Sequence, residues 1–260
     1  MIKKDINYLK NIRKNILQLT HKAKSSHIGS CLSIVEILYT LYFNILKKGD
    51  KFILSKGHAA LALYSCLYEK KILSKKDLLS FGKDKTTLMA HVSHKVKGVD
   101  FSTGSLGHGL PVSVGKSLLF KKIKKKNKVF VLLSDGELNE GSTWESLLFA
   151  CHHKLDNLNI IIDNNKIQSL GLVKDIIKLE PLKDKLKSFG AKVYRCNGHN
   201  INQLKKCLLI KCKNKPKVII ADTIKGKGIS FMENNNLWHY KNPDNYELDK
   251  AIEEIETSYA

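Results

Sequence analysis

The chain has 260 residues, which is the upper end of one domain or the length of two small ones. Apolar residues make up 43% and charged residues 27%, as in soluble globular proteins; no run approaches the roughly 20 apolar residues of a membrane span, and no apolar signal-peptide core follows the basic N-terminus. We therefore expect a cytoplasmic protein without a membrane partner, whose formal net charge of +21 raises the question of nucleic acid.

The basic residues are almost all lysine. Only two of the 45, Arg13 and Arg195, are arginine, whereas nucleic-acid readers rely on arginine for bidentate contacts to guanine. Lysine is spread along the whole chain together with many Asn and Ile residues, a composition that resembles that of a low-GC genome. The charge pattern therefore argues against nucleic acid as a partner.

The first half of the chain is predicted to be mostly helical, because its apolar residues recur at helical spacing. An opening helix has one apolar face formed by Leu9, Ile12, Ile16 and Leu17. A second helix has a face formed by Ile34, Leu38, Leu41 and Ile45. A third begins in a glycine-rich turn and has a face formed by Leu106, Leu110, Val114 and Leu118.

The second half alternates apolar runs with helical patterns. The predicted buried strands are Val129–Leu133, Asn159–Ile162, Lys192–Arg195 and Val218–Ala221. The predicted helices between them include Trp144–Lys154, Glu180–Phe189 and Ile201–Cys212. This alternation predicts an α/β fold in one domain of residues 1–260: a doubly wound, mostly parallel sheet flanked by helices, with an N-terminal helical layer.

The six cysteines show neither a CxxC pair nor the spacing of zinc ligands. They are Cys31, Cys66, Cys151, Cys196, Cys207 and Cys212. We expect reduced thiols that act as small apolar side chains in a cytosolic compartment.

Polar residues follow two of the predicted strands. Asp135 comes directly after the first and Asn165 after the second, about 30 residues later, which is the length of a strand–helix–strand unit that returns to the same sheet edge. Carboxylate, amide and main-chain oxygens together with phosphate oxygens would make the all-oxygen shell that Mg²⁺ or Ca²⁺ prefers. The alternative for Asp135-Gly136 alone is a simple strand-to-helix turn, where this pair is common.

The pattern Asp135-Gly136 followed by Asn165-x-Ile167 resembles the thiamine diphosphate motif, with Ser134 in place of its first glycine. The resemblance implies the thiamine-diphosphate-binding fold. It also implies that Asp135, Asn165 and the main-chain carbonyl of Ile167 hold the metal, and that the Gly136 N–H contacts the diphosphate.

Further segments are similar to those of the transketolase family and occur in the family's order. They are Ala23–Ser30, Leu54–Ala59, Ser102–Gly109, and Thr223–Gly228 with Trp238-His239. The resemblance covers nearly the whole chain and implies the diphosphate-binding N-terminal domain of a transketolase. That transferase moves a two-carbon ketol unit between sugar phosphates in the pentose phosphate pathway, with the cofactor as electron sink.

Histidines carry the substrate chemistry that the resemblance implies. A sugar hydroxyl must lose a proton as its carbon–carbon bond breaks and an acceptor aldehyde must gain one, and imidazoles suit both tasks. By resemblance His27 and His239 face the substrate hydroxyls, and His58 reaches the diphosphate. His91 matches a histidine that contacts the donor, although no proline follows it here, so His94 is the alternative.

The resemblance also assigns the contacts to the cofactor. They are His58, Gly104, Ser105, Leu106, Gly136, Glu140, Asn165 and His239. Glu140 and Glu145 match acidic positions near the subunit contact of the family, and the alternative for both is a capped, solvated first helical turn.

A glutamate that hydrogen-bonds the aminopyrimidine ring activates the cofactor in transketolases, and it lies on a second α/β domain that follows the first. The sequence ends at Ala260, soon after the His239 region. We therefore expect the N-terminal subunit of a split transketolase, which works with a C-terminal, pyrimidine-binding subunit in a heterotetramer with two copies of each chain.

Other functions share some of these features. A 2-oxo-acid dehydrogenase subunit shares the metal motif but should lack His27, His58 and Trp238-His239, and a deoxyxylulose-phosphate synthase normally carries all its domains in one chain. A transketolase-like subunit for a specialised sugar would keep the same motifs. Outside this class, Gly109–Ser117 resembles a phosphate-binding P-loop, but it has five residues between its glycines where that loop has four, and a basic RNA-binding scaffold would not need the metal pair.

Overall fold

The computed structural model describes residues 3–258, in which the apolar runs form a five-stranded parallel sheet in the order β1-β2-β3-β5-β4. The strands are β1 (Lys51–Leu54), β2 (Val129–Ser134), β3 (Leu158–Asn164), β4 (Lys192–Asn197) and β5 (Lys217–Asp222). Every neighbouring pair is parallel. The predicted α/β class and parallel sheet are therefore confirmed.

Helices precede and follow each strand. They are α1 (Lys3–Ala23), α2 (Ile28–Leu32), α3 (Val35–Thr40), α4 (Ala60–Glu69), α5 (Lys75–Leu78), α6 (Gly109–Lys122), α7 (Gly141–His152), α8 (Val173–Ile176), α9 (Leu182–Ser188), α10 (Ile201–Leu209) and α11 (Asn245–Ser258). A π-helical turn and three 3₁₀ turns complete the described part: Leu41–Ile45, Gly57–Ala59, Asp135–Asn139 and Asn236–His239.

Alternation along the strands divides the apolar side chains between the two faces of the sheet. In β2, Phe130 and Leu132 pack with the N-terminal helices and α10, whereas Val129, Val131 and Leu133 pack with α6, α7 and α9. Helices thus cover both faces, which is the doubly wound arrangement, and α1 to α4 form the predicted N-terminal layer on one of them. The limits of the predicted domain stay a prediction, since Met1, Ile2, Tyr259 and Ala260 lie outside the described residues.

One strand was missed, and the limits of several predicted elements differ from the structure, two helices among them. The strand β1 was not predicted, because its apolar run is too short to be distinguished from the helical patterns beside it. The third predicted helix begins only at Gly109, so Leu106 lies before it; Gly107 has a φ of 78°, a left-handed conformation that ends helical geometry at this point. The predicted helix Ile201–Cys212 ends at Leu209, since Ile210 turns to an extended conformation with ψ of 130°.

Within the described residues, one stretch is long and apolar enough to cross a membrane by length and composition alone. It is Ile28–Ile45, and 89% of it is buried inside the protein. The stretch comprises α2, α3 and the π-helical turn, and its side chains form the centre of the core between α1 and the sheet. Burial in the core accounts for its apolar composition, and the cytoplasmic location stays a prediction.

The loop after β5 makes a close turn at Gly226, whose φ is 82°. A Cβ at this position would lie 2.2 Å from the main-chain oxygen of Met232, so an alanine would meet both backbone strain and a clash. At Gly115, inside α6, an added Cβ would meet no described atom within 4 Å. Gly226 and Gly115 are therefore a matched pair for alanine substitution, one at a strained, crowded position and one at an open position.

We expect Gly226→Ala to lower the free energy of unfolding by about 3 kcal/mol, because the left-handed φ and the Met232 carbonyl both resist a side chain. Gly115→Ala should raise it by about 0.5–1 kcal/mol, since alanine loses less backbone entropy than glycine in a helix. Urea unfolding of the two variants beside the wild type measures both. Equal stability of the variants would contradict the placement of the Gly226 turn.

Candidate functional site

A cleft opens at the carboxyl ends of the central strands, where ligands bind in open parallel sheets. Ser134 of β2 is level with Asp163 of β3, and Asp163 is level with Ala221 of β5, so the segments that follow these strands leave the sheet side by side. The residues lining the cleft are His27, Ser30, Lys56, His58, His91, Gly104, Leu106, Ser134, Asp135, Gly136, Asn165, Ile167, Gln168, Ser169 and His239. Most of the residues predicted to form the site therefore line one cavity.

Asp135 lies at the floor of the cleft and is 1% exposed. Its Oδ1 accepts a hydrogen bond from the Gly136 N–H at 2.8 Å, and its Oδ2 accepts one from the Lys166 N–H at 2.6 Å. Burial raises the pKa of Asp135 to about 7, and the neighbouring Asp163 carboxylate contributes to this rise. Because burial makes the negative charge of Asp135 unfavourable, a bound cation that neutralises this charge would stabilise the ionised carboxylate.

Asn165 and Ile167 provide the other two predicted metal ligands. The Asn165 Nδ2 donates to Asp163 Oδ2 at 3.0 Å, which directs the amide oxygen to the opposite side, where it accepts from the Ile167 N–H at 3.1 Å. The donor set with Asp135 is all oxygen and contains one carboxylate, which fits Mg²⁺ or Ca²⁺ that also binds phosphate. No group of three or more His, Cys, Asp or Glu side chains suited to a metal occurs in residues 3–258.

Behind these ligands, Asp163 and Lys56 form a buried ion pair that was not predicted from the sequence. The Lys56 Nζ lies 2.5 Å from Asp163 Oδ2, and both side chains are 0% exposed. Asp163 also accepts hydrogen bonds from Ser33 and Thr223. Burial opposes the ionised form of Asp163, but the Lys56 charge and these hydrogen bonds lower its pKa. The only sequence signal for the pair is that Lys56 lies two residues before His58 and Asp163 two residues before Asn165.

Lys225 is a second buried cation that the sequence did not reveal as a site residue. It is 1% exposed, and its Nζ donates to the main-chain oxygens of Ile167 and Gln168 at 3.3 Å and 3.2 Å. The Nζ also lies 3.1 Å from His239 Nδ1. Burial lowers the pKa of Lys225 to about 8, and the positive charge of Lys56 adds to this effect. Lys56 lines the cavity and Lys225 contacts the lining residues Ile167, Gln168 and His239, so the positive charge of both favours an anionic ligand.

The wall beside the predicted metal ligands offers a further hydrogen-bond donor for such an anion. The Gln168 Nε2 is buried and has no hydrogen-bond partner in the described part of the chain, so a bound acceptor would satisfy it. An added Cβ on Gly136 would be at ordinary contact distance from Gln168, 3.5 Å. The Gly136 N–H, which was predicted to contact the diphosphate, lines the cleft but donates to Asp135.

Four histidines from distant segments meet at the mouth of the cleft, around His27. The His27 ring centroid lies 5.3 Å from that of His58, 5.6 Å from that of His91 and 4.9 Å from that of His239. His27 has a left-handed φ of 72°, and its N–H donates to the His239 carbonyl at 2.9 Å. Its Nδ1 is 2.9 Å from Ser26 Oγ, which leaves Nε2 for a ligand.

These imidazoles are neutral at physiological pH. Burial lowers the pKa of His27 to about 4, with contributions from His91, Lys225 and Lys56, and burial and Lys225 lower the pKa of His239 to about 3. Burial also lowers the pKa of His58 and His91. Each ring can therefore donate one hydrogen bond and accept another.

Several predicted site residues lie elsewhere. Ser105 is exposed, as are Glu140 and Glu145 at the start of α7, and none of the three is among the residues that line the cleft. His91 lines the cavity with His27, whereas His94 is not among the lining residues, and its Nδ1 lies 2.7 Å from Ser102 Oγ. The P-loop alternative is wrong, since Gly109–Ser117 forms the first turns of α6 and does not follow a strand.

Comparison with known proteins identifies close relatives of this chain. The model of the family described as transketolase, thiamine diphosphate binding domain, matches residues 4–253. The chain is 43% identical over 258 residues to one subunit of the apulose-4-phosphate transketolase of Actinobacillus succinogenes, covering 95% of this chain and 94% of that protein. It is 36% identical over 234 residues to a 6-deoxy-6-sulfo-D-fructose transketolase subunit of Clostridium sp. (strain MSTE9), covering 85% of each.

Among solved structures, the crystal structure of transketolase from Campylobacter jejuni superposes with a TM-score of 0.88 at 29% sequence identity. The match covers 98% of this chain and 42% of that one. The chain thus spans less than half the length of that transketolase.

Proposed function

Because the chain belongs to the transketolase family, as a match to its thiamine diphosphate binding domain, we propose that it binds thiamine diphosphate with Mg²⁺ and transfers a two-carbon ketol unit between sugar phosphates. The observation that carries the proposal is the meeting of the Asp135 and Asn165 oxygens with four neutral histidines in one cleft. A separate C-terminal subunit would supply the residue that activates the cofactor.

In this proposal each group of residues has its own task. Asp135, Asn165 and the Ile167 carbonyl hold the metal, and the ammonium groups of Lys56 and Lys225 offset the charge of the diphosphate. The bound cofactor supplies the electron sink for carbon–carbon bond cleavage. The family match and the all-oxygen donor set support Mg²⁺, with Ca²⁺ as the alternative.

The histidines bind and orient the sugar. The free Nε2 of His27 and the ring of His239 are suited to hydroxyl groups of the substrate, with His91 beside them and His58 nearer the diphosphate. A neutral imidazole can take the hydroxyl proton as the bond breaks and return a proton to the acceptor aldehyde oxygen. Burial is the main cause of the lowered pKa values of His27 and His239, and Lys56 and Lys225 add to it; diphosphate charge next to these two lysines would offset their part and so strengthen the rings as bases.

A specialised sugar is the second candidate for the substrate, beside the sugar phosphates of the pentose phosphate pathway. Relatives matched over most of their length are named for apulose-4-phosphate and for 6-deoxy-6-sulfo-D-fructose. Their chains are of similar length to this one, and both are named as subunits of a transketolase, which supports a partner chain. Measuring ketol transfer with each of these donors and with xylulose 5-phosphate would decide between the candidates.

Thiamine diphosphate with Mg²⁺ should raise the melting temperature of the chain by roughly 5–10 °C at 100 times the dissociation constant, because binding to the folded state alone stabilises it. A chelator should remove this shift. ATP with Mg²⁺ and RNA are the controls, and neither should change the melting temperature. A shift with ATP or RNA but not with thiamine diphosphate would overturn the proposed function.

The chain by itself should show no ketol transfer, and activity should appear on mixing with a transketolase pyrimidine-binding subunit. Static light scattering of the active mixture should give the mass of two copies of each chain. Albumin in place of the partner is the control for nonspecific stabilisation. Full activity of the purified chain alone would contradict the need for a partner.

A further inference from the structure

A buried ion pair outside the cleft connects two helices of the N-terminal layer with a loop after β4. Glu36 of α3 is 5% exposed, and Arg13 of α1 is 1% exposed. The Arg13 Nη2 donates to Glu36 Oε1 at 2.7 Å, and His199 Nδ1 lies 2.9 Å from Glu36 Oε2. The two oxygens of one carboxylate thus bind two different side chains.

His199 also contacts the loop after β5. Its Nε2 accepts a hydrogen bond from the main-chain N–H of Ile224 at 2.8 Å. Because an amide N–H can only donate, Nε2 must carry a lone pair and the ring proton must be on Nδ1, directed at Glu36. The carboxylate therefore selects the tautomer that can hold the Ile224 amide.

Arg13 holds the same loop at a second point. Its Nε donates to the Lys227 main-chain oxygen at 3.2 Å. The guanidinium also packs on Gly228, where an added Cβ would come within 2.8 Å of Nε. Between the two attachment points, Ile224 and Lys227, the chain contains only Lys225 and Gly226.

The segment held at Ile224 and Lys227 contains Lys225, whose ammonium group contacts the wall of the cleft. Lys225 Nζ donates to the Ile167 and Gln168 carbonyls, and the first of these is a proposed metal ligand. A shift of the Ile224 or Lys227 backbone would move this ammonium group, since Lys225 directly follows the first attachment point and lies two residues before the second.

We propose that Arg13, Glu36 and His199 are positioning residues, which fix the backbone of Ile224 and Lys227 and so keep the Lys225 ammonium beside the metal and diphosphate site. The statement about the site rests on the proposed function. The statement about the loop rests on the contacts alone. Burial would raise the pKa of Glu36, but Arg13 and His199 lower it to about 2, so the anchoring carboxylate stays charged near neutral pH.

The test is a comparison of His199→Leu, which removes the acceptor for Ile224, with His199→Gln, which keeps one near the position of the ring Nε2. Brief acetylation of the full chain followed by mass spectrometry measures the reactivity of each lysine. In the wild type Lys225 should be protected, and His199→Leu should raise its reactivity about tenfold or more because the loop opens more often. His199→Gln should restore most of the protection.

Lys56 and Lys217 are internal controls for folding, since they are 0% and 2% exposed and lie outside the held loop. They should stay protected in both variants. His152→Leu, on the exposed surface of α7, is the control for the substitution and should change no reactivity. In the complex with its partner, His199→Leu should weaken thiamine diphosphate binding about tenfold, whereas His199→Gln should weaken it less.

Protection of Lys225 in His199→Leu would overturn the proposal. If this variant exposes all three lysines, it has unfolded, and nitrogen-15 NMR of the wild type decides instead: a proton on His199 Nε2 would overturn the proposal, and a proton on Nδ1 with slow exchange of the Ile224 amide would support it. If the wild type binds no thiamine diphosphate but the labelling is as expected, the proposed function is wrong and the positioning of Lys225 stands.

Discussion

Asp135→Asn should abolish loading with thiamine diphosphate and Mg²⁺ and, at the same time, stabilise the unloaded chain. The substitution removes the only carboxylate of the proposed metal site, so we expect the affinity for the metal–diphosphate pair to fall at least about 100-fold. The melting-temperature shift that thiamine diphosphate with Mg²⁺ causes should disappear. Isothermal titration of the variant with both ligands measures the loss.

The gain in stability has a definite pH dependence. Burial and Asp163 raise the pKa of Asp135 in the folded chain to about 7, above its ordinary value of 3.8. A carboxyl group whose pKa is raised by folding stabilises the folded state fully at pH values below its ordinary pKa. This contribution is lost as the pH rises towards 7. Asparagine does not titrate, so Asp135→Asn should match the wild type near pH 4 and be more stable by about 1–2 kcal/mol at pH 8, after allowance for the lost hydrogen-bond acceptor.

Asp84→Asn is the matched control, because Asp84 is exposed and is not among the residues that line the cleft. It should leave both the loading and the pH dependence unchanged. Urea unfolding without ligands at pH 4, 6 and 8 gives the comparison. If Asp135→Asn binds the metal–diphosphate pair as tightly as the wild type, Asp135 is not the metal ligand.

His27→Asn should lower the kcat/KM of ketol transfer by about 10²–10⁴-fold, because the variant has no imidazole to exchange a proton with the substrate hydroxyl. Asparagine is the suitable replacement, since His27 has a left-handed φ of 72° and Asn tolerates that conformation better than most residues. Cofactor affinity should change little, as the predicted task of His27 concerns the sugar. Steady-state kinetics of the complex with the partner subunit measures the effect.

The pH dependence of kcat/KM is a second test of the proton-transfer role of His27. Its lowered pKa, about 4, means that the ring of the unloaded chain is neutral from pH 6 to pH 8, and charge from the diphosphate should raise this pKa in the loaded complex. His152→Asn, an exposed substitution of the same kind, should keep wild-type kinetics. Wild-type kcat/KM in His27→Asn would rule out a proton-transfer role for this ring.

The strands β2 to β5 and the meeting of Asp135 with Asn165 in one cleft could be predicted because their signals are local. Short apolar runs bounded by polar residues mark β2 to β5, and parallel strands place their carboxyl ends at one edge. Asp135 and Asn165 follow neighbouring strands, so their meeting in one cleft required only the order of the strands. The boundaries were less predictable, as Leu106 illustrates: its helical spacing continues into α6, but the left-handed Gly107 separates them.

The sequence by itself therefore determined the α/β class, the strand ends that carry the polar residues and, through ordered motifs, the family resemblance. Only the tertiary structure decided which charges support the site. Lys56 forms an ion pair with Asp163 across 107 residues, and the Arg13 guanidinium donates to the main-chain oxygen of Lys227 across 214. Such partners share no local periodicity. Burial explains both contacts, because a charge removed from water needs a counter-charge or a hydrogen-bond partner wherever the fold provides one.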